Sequence, residues 1–90
     1  MTNHEVHISS LIIHVKPQFL GAIKLQIAAI PEVEIYGDSE EGKIIVVVET
    51  QQQKFVTDII ERINNIEHVI NTLLVYHQME QLDQSSEDGL

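Results

Sequence analysis

Ninety residues make one domain with a single small core, since a chain of this length buries only roughly 60–65% of the surface it exposes when unfolded. An apolar fraction of 43% is ordinary for a globular chain, while fourteen acidic against five basic side chains give a net charge of -9 that repels nucleic-acid phosphates and anionic lipid surfaces. The absence of cysteine excludes a disulfide framework, a thiolate metal site and a cysteine nucleophile.

The opening "MTNHEVHISS" has no basic n-region, and the nearby "LII" falls short of the ~7 apolar residues of a secretory core segment. No stretch approaches the ~18 apolar residues of a membrane span, so a cytoplasmic chain is expected. Residues 6–15, "VHISSLIIHV", alternate loosely and are rich in β-branched side chains, which predicts a first strand. Lys16-Pro17 stops it. Pro17 suits the first turn of a helix, and Leu20, Ile23, Ile27 and Ile30 follow at helical spacing until Pro31 ends the run.

A short strand, "VEIYG", leads through the turn "DSEEG" into residues 43–49, and the two strands predict a hairpin. Thr50 with Gln53 three residues later has the capping-box pattern, and Phe55, Val56, Ile59, Ile60 and Ile63 form the apolar stripe of a second helix that stops at Asn64-Asn65. Residues 69–76 predict the last strand. From Gln78 the chain is polar and acidic without periodicity; we expect one folded domain over residues 1–80 and a disordered acidic tail over 81–90.

The order βαββαβ predicts the ferredoxin-like arrangement: a four-stranded antiparallel sheet, order 4-1-3-2, with two helices on one face. A shift of 36 residues superposes Phe19 on Phe55, Ile23 on Ile59, Ile27 on Ile63, Ile30 on Ile66 and Val33 on Val69, as expected of two copies of one βαβ unit. Right-handed crossovers put both helices on the same side, which leaves the other side of the sheet bare.

Strand alternation then assigns the faces. Leu11, Ile13, Val15, Ile44, Val46 and Val48 are expected inward, together with Ile70, Thr72, Leu74 and Tyr76 of the last strand. A bulge in that strand would invert part of its assignment. The outer face is expected to carry Ile12, Ile45, Val47, Leu73 and Val75, rimmed by Ser10, His14, Glu49, Asn71 and His77. Five such side chains approach the several hundred Å² at which exposed apolar surface marks a binding site.

Catalytic chemistry finds no support in these residues. His4 and His7 in "HEVH" lie three apart in a strand or terminus, where they point to opposite faces, and a His14–His77 pair on the outer face is an incomplete metal site. "DSEE" lacks the ligand spacing of a calcium loop. There is no glycine-rich phosphate loop and no nucleophile elbow. An RNA-recognition domain of this topology places aromatic residues on its outer face, where the third strand offers Ile45, Val47 and Glu49. Soft-metal carriers of this topology use a Cys-x-x-Cys loop, where this chain has "HVKPQ".

Four segments, "SSLIIHVKP", "AAIPEVEIYG", "GKIIVVVET" and "NTLLVYHQMEQ", together resemble the NapD family over roughly residues 5–80. "IVVVE" and "LVYHQ" are the most specific. Glu32 in "IPEV" departs from the glycine of the family's "PGV" pattern. The resemblance implies a cytoplasmic chaperone without a cofactor. Such a chaperone binds the twin-arginine signal peptide of the periplasmic nitrate reductase catalytic subunit and holds back export until cofactor insertion is complete. Combined with the face assignment above, this leads us to expect the peptide's apolar segment on the outer face and its arginines near Glu49 and other acids, in a monomer or weak dimer. A small-molecule-binding regulatory domain of the same topology, and a structural subunit with a permanently covered face, stand as alternatives.

Overall fold

Alternation along Lys43–Thr50 organises the molecule: Ile44, Val46 and Val48 are wholly buried, Ile45 and Glu49 are exposed, and Val47 is half-buried. In the computed structural model, which describes residues 4–82, this strand is β3 of β1 (His4–Val15), α1 (Leu20–Ala28), β2 (Val33–Ser39), β3 and α2 (Gln53–Asn64), followed by β4 (Val69–Leu82). All neighbouring strands are antiparallel and their order is β2-β3-β1-β4, the predicted 4-1-3-2 sheet of a ferredoxin-like fold. Leu11, Ile13 and Val15 join the three β3 side chains in one core with Ile23 and Ile27 of α1 and Ile59 and Ile63 of α2. Both helices therefore cover the same side of the sheet.

The connections follow from local chemistry. Pro17 opens a single 3-10 turn, Pro17–Phe19, that leads into α1, and Ile30 turns inward just before Pro31 as the helix ends. In the β2–β3 hairpin Gly42 has φ 102°, donates its N–H to the Ser39 carbonyl at 3.0 Å and accepts the Val15 N–H at 2.8 Å. A Cβ at this position would overlap the Val15 carbonyl oxygen, so the turn requires glycine on two counts. After α2 stops at Asn64, with Asn65 as its C-cap, His68 takes φ 77° and its ring stacks on Phe19 with centroids 3.5 Å apart. Its carbonyl accepts the Lys16 N–H at 3.1 Å, which ties the start of β4 to the end of β1.

Three sequence expectations change. The Thr50 hydroxyl donates to the Gln52 carbonyl at 3.0 Å, and Gln52, not Thr50, is the N-cap of α2; the capping box does not form because the helix begins two residues later than that pattern requires. Phe55 lies at the margin of the stripe, 40% exposed, while Val56, Ile59 and Ile63 are buried. Residues 78–82, read as the start of the tail, instead extend β4 and pair with residues 4–8 of β1. The remaining tail lies outside the described residues.

Candidate functional site

The register of the sheet arranges its outer face in four rows. Glu49, Ile8 and Gln78 form the first; Glu34, Val47, Ser10 and Tyr76 the second; Gly37, Ile45, Ile12 and Leu73 the third; and Ser39, Lys43, His14 and Asn71 the last. The two middle rows bring Ile12, Ile45, Val47 and Leu73 together as predicted, with Ser10, His14, Asn71 and Glu49 around them. Gly37 has no side chain to cover Ile45, which is 44% exposed. A strand residue in this position, large and apolar yet half-exposed beside a glycine, is surface left bare by its own sheet.

A bulge reshapes the β4 side. Leu11 pairs with Leu74 and Ser10 with Tyr76, so Val75 has no partner in β1 and both it and Tyr76 are about half-exposed. An extra residue inverts the alternation beyond it. Tyr76, expected inward, therefore joins the outer face, and His77, expected on the outer rim, turns to the helix-bearing side. There His77 sits opposite buried Ser9, and its Nε2 lies 3.1 Å from Nδ1 of His7, one nitrogen donating and the other accepting. The proposed meeting of His14 and His77 does not occur. A second irregularity, between Val69 and Asn71, leaves Ile70 unpaired and 62% exposed instead of buried.

Ile8 and Tyr76 are members of this face that the sequence reading missed. Ile8 has the same parity as Ser10 and Ile12, so simple extension of the first strand's alternation finds it. Tyr76 requires the bulge.

Charge is distributed unequally across the rows. At the β2–β3 end, Glu32, Glu34 and Glu49 line an open cleft whose apolar wall includes Val6 and Val47. The Glu49 N–H donates to the Glu32 carbonyl at 3.1 Å and holds the two acidic segments together. Lys43 and His14 stand in the last row, at the opposite end of the patch. Glu32, Glu34 and Glu49 thus gather at one end of the apolar side chains of this face. This suits a partner that carries positive charge next to an apolar segment. Among the described residues no three histidine or carboxylate side chains gather as a metal site, and no helix is long and apolar enough to cross a membrane.

Comparison with known proteins places this geometry in a family. The family model described as NapD protein matches residues 6–81. The chain is 36% identical over 81 residues to the chaperone NapD of Escherichia coli K12, covering 89% of this chain and 91% of that one. To the chaperone NapD of Haemophilus influenzae it is 34% identical over 76 residues, covering 83% and 82%. The solution structure of the E. coli Tat proofreading chaperone protein NapD superposes with a TM-score of 0.75 at 33% identity, covering 83% of this chain and 80% of that chain. The chain belongs to the NapD family.

Proposed function

We propose that this chaperone binds the twin-arginine signal peptide of a periplasmic nitrate reductase catalytic subunit in the cytoplasm, and holds back its export until the cofactors are inserted. The observation that carries this reading is the adjacency of an acidic cleft and a bare apolar patch on one sheet face. A twin-arginine signal has the same two parts in the same order, positive charge followed by an apolar segment. The arginines approach Glu32, Glu34 and Glu49, and the apolar segment crosses Val47, Ile45 and Ile12 toward Leu73 and Tyr76.

Magnitudes divide the work between the two parts. Sealing half-exposed side chains such as Ile45 and Leu73 contributes on the order of 1 kcal/mol apiece, and the peptide's own apolar residues add a comparable amount. Exposed carboxylate–guanidinium pairs contribute roughly 0–1 kcal/mol each, so they act mainly on encounter rate and orientation. Apolar contact therefore sets affinity, and the acids set direction.

The test is calorimetric titration of the signal peptide against Ile45→Asp, Val47→Asp and Glu49→Lys variants shown to be folded, with Leu25→Asp on the exposed side of α1 as a control. The first two lose at least about tenfold in affinity, the cost of leaving a charge beneath an apolar segment. Undiminished binding by all three would overturn the assignment of the face.

A further inference from the structure

The two edges of the sheet are built differently. β2 is seven residues long, interrupted at Tyr36, and carries Glu34 and Asp38, with Asp38 paired to Lys24. Short length, a bulge and charge are the usual means of preventing strand-to-strand association. β4 is fourteen residues long, roughly 45 Å at the ordinary rise of a strand, and residues 69–79 contain no Asp, Glu, Lys or Arg. Among the described residues nothing pairs with its second side.

Exposed apolar side chains collect on this strand. Ile70, Leu73, Leu74, Val75, Tyr76 and Met79 are about half-exposed or more. They lie on both sides of the sheet: Leu73 and Tyr76 are on the outer face, whereas Leu74 pairs with buried Leu11 and Met79 with buried His7 on the helix-bearing side. A ligand lying on the outer face reaches only the first pair. A neighbour placed edge to edge reaches both.

We propose that β4 is a self-association edge, pairing antiparallel with β4 of a second copy about a two-fold axis to continue the sheet. Charge selects this occupant. A cationic peptide is matched by Glu32, Glu34 and Glu49 near the opposite edge and finds no acid on residues 69–79, which form an uncharged stretch of β4 with apolar side chains on both faces. The bulge at Val75 leaves residues 76–82 as a regular stretch as long as the whole of β2. With full overlap of that stretch, Met79 of the two copies meets at the axis, and Glu80, its one charged residue, falls opposite the partner's Gln78. The chain as a whole, at net charge -9, opposes the approach of a second copy, so association strengthens with salt. The outer face stays open in such a dimer, so this inference stands or falls independently of peptide binding.

Sedimentation velocity on the full chain, from dilute solution to about 1 mM and from low to roughly 0.5 M salt, tests it in the regime where a small interface becomes populated. The expected result is a mass that rises from one chain toward two with concentration, and rises further with salt. Met79→Lys, confirmed folded by circular dichroism, returns it to one chain. That variant reduces the net charge, which by itself favours association, so its loss of dimer reports the edge. Ile45→Asp leaves the dimer intact. Amide exchange in the unaltered chain adds a variant-free measure: alternate β4 amides, those directed away from β1, become protected as concentration rises. A single-chain mass throughout, a dimer that survives Met79→Lys, or one lost only in Ile45→Asp overturns the proposal. So does protection of those amides that is independent of concentration, which would mean that the chain covers its own edge.

Discussion

His7 and His77 are hydrogen-bonded, ring nitrogen to ring nitrogen at 3.1 Å, on the helix-bearing side of the sheet, seventy residues apart in sequence. They meet because Val75 bulges out of the pairing. Between Leu74, opposite Leu11, and Tyr76, opposite Ser10, the chain spends one residue without a partner, and His77 is thereby aligned with Ser9 beside His7.

Deleting Val75 is consequently expected to be mild. Leu74 and Tyr76 keep their partners, the alternation becomes regular, and the loss is one half-exposed side chain. Stability falls by less than about 1 kcal/mol, against roughly 2–5 kcal/mol for Leu11→Ala in the packed core. Chemical denaturation measures both, and contact between the His7 and His77 rings, followed by nuclear Overhauser effects, persists in the deletion. Loss of that contact would show that the bulge is needed for the alignment beyond it.

Gly42→Ala addresses the hairpin. With φ 102° and the Val15 carbonyl where a Cβ would sit, alanine must both adopt a left-handed backbone and displace its neighbour. The expected cost is about 2 kcal/mol or more, read as a lower urea midpoint at unchanged slope. The adjoining Val15–Gly42 hydrogen bond makes amide exchange at Val15 the local reporter of the same damage.

Ionic strength separates the two association modes. If the two proposals hold, peptide capture by Glu32, Glu34 and Glu49 is expected to slow as salt screens the attraction, whereas self-association of a chain at net charge -9 is expected to be favoured by the same screening. Replacing the three glutamates with glutamine flattens the salt dependence of the peptide on-rate in stopped-flow measurements and changes the dissociation rate little. Changes confined to dissociation would place these acids in desolvated contact with the arginines, not in steering.

Much of this was legible in the residues because local signals agreed with one another. Pro17, Pro31 and Asn64-Asn65 bound the helices where expected, and the 36-residue repeat put Ile23 with Ile59 and Ile27 with Ile63 in matching core positions. The uninterrupted Ile44–Val46–Val48 set identified the inner side of β3, and with it the outer placement of Ile45 and Val47. What failed was β4. Strand alternation is a period-two signal with no memory of an inserted residue, so one bulge exchanged the faces of Tyr76 and His77, and a second exposed Ile70. The extension of β4 to Leu82 was equally hidden, since "QMEQL" has a tail's composition and becomes a strand only by pairing with residues 4–8. Glu32 stands out in the other direction: it departs from the family's sequence pattern, and the fold sets it beside Glu34 and Glu49.

The central claim is that the apolar rows of the outer face receive the signal peptide, and amide chemical shifts followed during titration of a labelled chain with that peptide test it most directly. The account predicts the largest changes at Ile8, Ile12, Ile45, Val47, Leu73 and Tyr76, with Glu34 and Glu49 moving alongside them and the amides of α1 and α2 unchanged. Changes confined to the amides of one edge strand, β2 or β4, or to the two helices would contradict it.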